Sequence, residues 1–205
     1  NHGLHLVEDE QERMQIARLN LQAARAARQA TAFETGLNYA RSGLELLGEA
    51  GWDQHYRLTL ELEEQAALLA YMAGDIPHMQ HHGRRVLESG RDPVDVVRIK
   101  RMHMEFLAGS KRLQEALDVG LKALDELGFE LPAEPDWELA TARVKAFDER
   151  LDREAPDWLA MRPLGDEDPQ LAAVFDILTA LTPTAFVADP ALCPLLAVVY
   201  LELCL

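Results

Sequence analysis

Cysteine is almost absent from this chain, which excludes a disulfide framework as the basis of its fold. The 205 residues include two cysteines, Cys193 and Cys204, in an apolar stretch without Cys-x-x-Cys spacing. We therefore expect buried thiols in a reducing, cytoplasmic compartment. Long hydrophobic runs are missing too, because no 18 consecutive residues are apolar. Residues 1–10 lack the basic start and apolar core of a signal peptide. The sequence predicts neither a membrane span nor secretion.

Positive charge is also in short supply. The chain has 20 Lys and Arg against 35 Asp and Glu, a formal net charge of −15. Such an acidic balance disfavours non-specific binding to nucleic acids and to anionic membranes. We therefore expect proteins as partners, no nucleic acid and no membrane.

Glycine and proline are few and lie at intervals, whereas the strong helix formers Ala, Leu, Glu and Arg dominate. Apolar residues recur at steps of three and four, and no alternation typical of strands occurs. The pattern predicts an all-α protein with short loops between antiparallel helices. The predicted helices cover, approximately, residues 14–30, 33–47, 55–73, 77–89, 93–109, 112–127, 136–154, 168–181 and 190–205. Residues 129–135, 156–167 and 182–189 are predicted as loops or irregular chain.

A repeat underlies these helices. Small or packing residues at equivalent offsets, Gly36, Met79 and Ala116, are 43 and 37 residues apart, close to the length of helix-pair repeats. Antiparallel backbones approach closely where side chains are small, as at Ala24 and Gly43. One pair cannot bury its own apolar face, so we expect the pairs to stack into an α-solenoid.

The repeat resembles the tetratricopeptide repeat, in a degenerate form without the early Trp and Tyr. A closer resemblance lies in ARLNLQAARAARQATAFETGLNYARSGLELLGEAGW, AALLAYMAGDIPHM, LQEALDVGLKALDELGFELP and DPALCPLLAVVYLELCL. These blocks, in this order, look like the helical region of large bacterial signalling proteins. Such proteins combine a serine/threonine-kinase-like domain, an AAA-type (STAND-like) ATPase, this helical region, a GAF domain and a sensor histidine kinase.

The resemblance implies a fragment of a longer protein, and both ends of the chain look cut. We expect three tetratricopeptide-like pairs over residues 1–128 and a less regular helical continuation over 129–205. The segment would be a non-catalytic interaction and spacer module; a homodimerisation module is the alternative. The chain contains no GxxxxGK[ST], HRD or DFG motif, so we expect no enzymatic activity and no cofactor.

The first helix of each pair lines the concave surface of a tetratricopeptide superhelix, which predicts a binding surface. The expected lining residues are Arg18, Leu21, Arg25, Arg28, Glu61, Glu64, Leu68, Tyr71, Arg98, Arg101 and Glu105. Arginine suits such a surface because its planar guanidinium pairs with carboxylates and stacks on aromatic rings. Solvent-exposed arginines on amphipathic helices are the structural alternative.

Three histidines, His78, His81 and His82, lie within five residues of one predicted helix. Spacings of three and four place imidazoles near one another, as in some metal sites. Without HExxH or a carboxylate at a set distance, we expect a solvated surface here and no metal. A metal-binding protein or all-α enzyme that uses these histidines is the alternative of another class. The nearby Glu61, Glu63 and Glu64 are likewise expected to form a solvated acidic face.

Overall fold

The chain is all-α. A computed structural model describes residues 9–132, 135–154 and 168–204, and within those ranges it contains ten helices and no strand. The helices are α1 (Glu10–Gln29), α2 (Phe33–Leu47), α3 (Gly51–Gln54), α4 (Tyr56–Met72), α5 (Ile76–Ser89), α6 (Pro93–Gly109), α7 (Leu113–Glu126), α8 (Trp137–Glu154), α9 (Pro169–Ala188) and α10 (Leu192–Cys204).

Aspartates begin several helices. Asp75 accepts a hydrogen bond from the His78 amide, and Asp168 accepts two from the first turn of α9. Asp9 does the same for α1. Each carboxylate satisfies amides that the first helical turn leaves without a partner, and it also complements the positive end of the helix dipole.

One turn recurs three times between paired helices. Thr31, Gly74 and Lys111 all adopt a left-handed conformation, with φ of 57°, 75° and 62°. In each case the amide of the next residue bonds to the carbonyl five positions earlier, at 2.8, 2.8 and 2.9 Å. This is the Schellman arrangement, in which a left-handed residue ends a helix and turns the chain. The three turns are 43 and 37 residues apart, the same spacing that the sequence repeat shows.

By its contacts, the chain divides into two units, Asn1–Ile99 and Lys100–Leu205. The predicted boundary at residue 128 instead separates the regular helix pairs from the less regular helical continuation. That boundary stays a prediction. Residues 156–167, predicted as irregular, lie outside the described residues.

In the first unit, α2 packs between α1 and α4 by means of glycine. A Cβ at Gly36 would lie 2.9 Å from the Leu69 side chain and 3.3 Å from the carbonyl oxygen of Ala24. One at Gly43 would lie 2.8 Å from Leu62. The order of these contacts makes α2 antiparallel to both α1 and α4. The predicted role of small residues at close helix contacts is confirmed here.

In the second unit, Gly120 of α7 has the same role. A Cβ there would lie 2.5 Å from Leu181 of α9 and 2.7 Å from Met104 of α6. The Gln170 side chain donates to the carbonyl of Leu127, so α9 runs antiparallel to α7. Helix α10 packs on α9 and on α8.

The predicted loop at 182–189 is wrong, because α9 continues to Ala188 through Pro183. A proline inside a helix loses one backbone hydrogen bond and costs roughly 3 kcal/mol. Leu181 and Ala185, both fully buried on either side of it, offset that cost. With only Asp176 ionisable between its ends, α9 is also long and apolar enough to cross a membrane by length and composition alone.

Candidate interaction surface and the polar core beneath it

Ion pairs join the first helices of successive pairs in the first unit. Arg25 of α1 lies 2.6 Å from Glu61 of α4. Arg98 of α6 lies 3.1 Å from Glu64, three residues further along α4. Helix α4 therefore presents one carboxylate to the helix before it and another to the helix after it.

These three helices run in the same direction. Helix α4 is parallel to α1 because both are antiparallel to α2. Near the start of α4, Tyr56 donates a hydrogen bond of 2.5 Å to Asp95, and further along Glu64 accepts one from Arg98. Both contacts advance together along α4 and along residues 93–99 of α6, so this first-unit part of α6 runs parallel to α4.

The residues predicted to line the surface differ in exposure. Arg18 and Arg98 are exposed; Arg25, Arg28, Glu61, Leu68 and Tyr71 are half-buried; Glu64 and Leu21 are buried. The prediction for Leu21 is corrected, because its side chain packs in the core with Ala17 and Leu62 and is only 5% exposed. Within the described part of the chain, Arg18 and Arg28 form no ion pair.

In the second unit, Arg101 lies 3.0 Å from Glu105 and 3.1 Å from Asp176 of α9. The first contact is within one helix, whereas the second joins two helices. Three of the five predicted arginines, Arg25, Arg98 and Arg101, are therefore paired with carboxylates. An acidic ligand would have to compete with those carboxylates for them.

The acidic residues of α4 are not a solvated face, which corrects the sequence interpretation. Glu63 is 1% exposed and Glu64 is 8% exposed. Helix α4 is covered on most sides, so residues on nearly all of its faces are buried. Burial raises the pKa of Glu64 above its ordinary value, and the Arg98 guanidinium opposes this shift.

Glu63 is shared by two side chains of α5. His82 Nδ1 lies 2.6 Å from one carboxylate oxygen, and Arg85 Nε lies 2.6 Å from the other. Because a carboxylate can only accept, the His82 proton belongs on Nδ1. The Arg85 contact is an ion pair whose N–H does not point directly at the oxygen. His82 is 6% exposed, so its predicted solvation is also corrected.

A cleft of about 230 Å³ opens above this cluster. Arg41 and Glu45 of α2 line it together with Thr59, Glu63 and His82. The Thr59 hydroxyl and His82 Nε2 are buried and have no hydrogen-bond partner among the described residues. Both atoms are sealed from solvent, so a ligand in the cleft as it stands would not reach them.

The three histidines of α5 have different environments. The His78 ring lies 2.7 Å from Asp75, and the exposed His81 meets the His82 ring edge-on, with centroids 5.0 Å apart. Desolvation, more than the nearby His82, lowers the pKa of His81. Among the described residues, no three His, Cys, Asp or Glu side chains converge as metal ligands. His78 thus contacts the aspartate that caps its helix, His81 is an exposed ring, and His82 is a partner of Glu63 in the core.

Comparison with known proteins gives one distant similarity to a signalling protein. The chain is 21% identical over 160 residues to the hybrid signal transduction histidine kinase G of Dictyostelium discoideum. The match covers 74% of this chain and 5% of that protein, so the chain spans a small fraction of its relative's length. No protein-family model matches the chain, and no solved structure matches it. The similarity associates the chain with signal transduction in general terms.

Proposed function

We propose that this chain is a non-catalytic, tetratricopeptide-like segment of a larger cytoplasmic signal-transduction kinase or ATPase. It would act as a spacer and as an interaction surface for protein partners, either other segments of the parent protein or a partner peptide. The observation that carries the proposal is the parallel set of first helices, joined by the pairs Arg25–Glu61 and Arg98–Glu64. The distant similarity to a long signalling kinase supports the context.

The repeated turn supports a solenoid of stacked pairs. Left-handed residues at Thr31, Gly74 and Lys111 end three first helices in the same way. A second helix then packs back antiparallel, and in the first unit the next first helix covers both. Stability in such stacks is a sum of repeat and nearest-neighbour terms.

Hydrogen exchange tests the stacking. Gly43→Leu would insert a side chain where Leu62 already lies 2.8 Å from a Cβ, and it should separate α2 from α4. In a stack, protection should fall most in α1, α2 and α4, less in α5, and least in α9 and α10. A uniform loss of protection along the whole chain would reject the solenoid.

Charge reversal tests the interaction surface. Arg18→Glu with Arg28→Glu changes two cations that have no ion pair in the described residues, so folding should be retained. We expect this double variant to weaken binding to the adjoining segments of the parent protein, measured by calorimetry in low salt. Arg41→Glu with Arg84→Glu, on the exposed surface of α2 and α5, is the matched control.

The binding results distinguish between the possible roles of these arginines. Equal affinity of both double variants would assign the arginines a structural role only. Concentration-dependent self-association of the isolated chain, lost in the Arg18 and Arg28 variant, would favour the homodimerisation alternative. Light scattering measures that directly.

A further inference from the structure

Two arginines of α8 face a single carboxylate of α10 in the second unit. Arg143 Nη2 lies 3.6 Å from Glu202 Oε2, and Arg150 Nη1 lies 3.4 Å from Glu202 Oε1. The arginines are seven residues apart, a spacing that keeps them on one side of the helix. Within the described part of the chain, neither guanidinium has a second carboxylate partner. Two positive charges therefore share one negative charge, in a chain whose net charge is −15.

Both guanidiniums keep N–H donors that Glu202 does not use. The distances of 3.4 and 3.6 Å are longer than the roughly 2.7–3.2 Å of an N–H···O hydrogen bond, so these contacts are ion pairs without a direct hydrogen bond. The Arg143 side chain is 57% exposed and that of Arg150 is 38% exposed. An oxyanion from solution can therefore reach donors on both side chains.

An aromatic ring holds one of the arginines in place. The Phe147 ring is buried, and the guanidinium carbon of Arg150 lies 5.1 Å from its centroid, within the range of a cation–π contact. A cleft of about 290 Å³ opens beside these side chains, and Arg143, Ala146 and Glu202 complete its lining. The cleft has room for a small polar group in addition to the Glu202 carboxylate.

We propose that this cleft binds a carboxylate group of a ligand. Glu202 shows the chemistry that the two arginines accept, because it already presents one carboxylate oxygen to each of them. The planar guanidinium matches carboxylate and phosphate alike, so charge decides between the two. With Glu202 in place, a singly charged carboxylate neutralises the excess positive charge, whereas a phosphate dianion would leave an excess of negative charge beside Glu202. The proposal does not depend on the surface of Arg18 and Arg28, which belongs to the first unit.

An NMR titration of the full 205-residue chain tests the site. The probes are sodium acetate and a capped pentapeptide with one glutamate among alanines, each added at constant ionic strength. We expect saturable shifts of the side-chain N–H signals of Arg143 and Arg150, with a dissociation constant on the order of 1 mM. Tighter binding of the peptide than of acetate would identify the source of the carboxylate as a protein partner. Equal binding of the two would identify it as a free small molecule.

Substitutions separate ligand binding from the ion pairs within the chain. Arg143→Gln and Arg150→Gln should each weaken binding about ten-fold, since each removes charge-assisted hydrogen bonds to the ligand. Glu202→Gln should tighten binding about two- to five-fold, because it removes the carboxylate that competes for the same donors. Lys145→Gln, at a 76% exposed cation of the same helix, is the matched control and should leave the affinity unchanged.

Circular dichroism melting curves equal to wild type would show that the variants fold. Absence of saturable shifts up to roughly 100 mM acetate would overturn the proposal. A Glu202→Gln variant that binds no more tightly than wild type would also overturn it, since the arginines would then serve only to join α8 to α10. Tighter binding of inorganic phosphate than of acetate would reject the assignment to a carboxylate.

Discussion

The cores of the two units differ in chemistry. The first unit buries polar or charged side chains at Asn20, Thr59, Glu63, Glu64, Gln65 and His82, whereas in the described second unit Thr184 is the buried polar residue. Apolar packing is non-directional, but a buried carboxylate needs a particular partner at a particular place. The first unit therefore specifies which helices meet through the buried Glu63 and Glu64, and the second relies on shape.

Breaking the polar core should have the largest effect. Glu63→Gln removes the buried counter-charge of Arg85, which keeps only the exposed Glu49 carboxylate at 3.6 Å, and removal of one member of a buried pair costs about 3–5 kcal/mol. Because Arg85 keeps 30% exposure, we expect the lower end of that range. Urea unfolding followed by circular dichroism measures the loss. Glu61→Gln, at a 35% exposed carboxylate, is the control and should cost about 1 kcal/mol or less.

Equal losses in the two variants would mean that burial does not distinguish these carboxylates. A triple variant tests the cluster further, because it removes the carboxylate, the imidazole and the guanidinium together. Glu63→Leu with His82→Leu and Arg85→Met should recover most of the stability, since apolar replacements of buried ion clusters are often neutral or stabilising. If it stays as unstable as Glu63→Gln, the cluster itself stabilises the fold.

Shape should decide stability in the second unit. Gly120→Leu forces a side chain against Met104 and Leu181, and we expect a loss of about 1–3 kcal/mol. Gly109→Leu is the matched control, because nothing lies within 4 Å of a Cβ there. It should be neutral or slightly stabilising, since leucine favours helix over glycine. Thermal unfolding of both variants tests this, and a neutral Gly120→Leu would show that α7 can shift without cost.

The repeated turn allows a comparison of one left-handed residue in each unit, with smaller expected effects on stability. Thr31 and Lys111 hold the left-handed conformation that Gly74 adopts freely. A β-branched residue is more strained there than an unbranched one. We expect Thr31→Gly to stabilise by about 1 kcal/mol and Lys111→Gly by less. Denaturation midpoints check both, and a destabilised Thr31→Gly would show that the turn carries no strain.

The smallest predicted effect concerns pH and Glu64. Its pKa is raised in the folded chain, so the folded state holds that proton to higher pH than the unfolded state does. The contribution of Glu64 to stability therefore falls as pH rises from its ordinary pKa of 4.5 through the folded value. Glu64→Gln should be slightly more stable than wild type at pH 7, because glutamine carries no charge that burial penalises. The advantage should shrink towards pH 4.5. If the stability advantage of Glu64→Gln instead grew as the pH was lowered, the pKa of Glu64 would be lowered in the folded chain, not raised.

Helix periodicity and turn residues predicted the all-α class and most of the helices from the sequence. The repeat spacing and the close packing at Gly36 and Gly43 depend on the placing of small residues, so they are visible along the chain. The continuation of α9 through Pro183 was not predictable in this way. Its stability comes from the burial of neighbouring side chains against other helices, which local propensity does not record.

The candidate surface was predictable in part. Regular spacing along α1 places Arg18 and Arg25 on one side, but it does not reveal that Glu61 meets Arg25. Nor does it reveal the burial of Glu63 and His82. A single-helix pattern assumes one buried face, whereas α4 has neighbours on most sides. One usable signal was the presence of basic side chains such as Arg85 on the next helix, because a buried carboxylate needs such a partner.

The glycine contacts of α2 also set an order of events during synthesis. Gly36 and Gly43 complete their packing only when Leu69 and Leu62 of α4 lie against them. Ribosomes add about 5–20 residues per second, so on the order of a second or more passes before α4 is synthesised and can pack on the nascent α1–α2 hairpin. During that interval its apolar face is open to chaperones and to neighbouring nascent chains. Slowing translation just after α2 should therefore lower the yield of folded protein more than slowing it after α5.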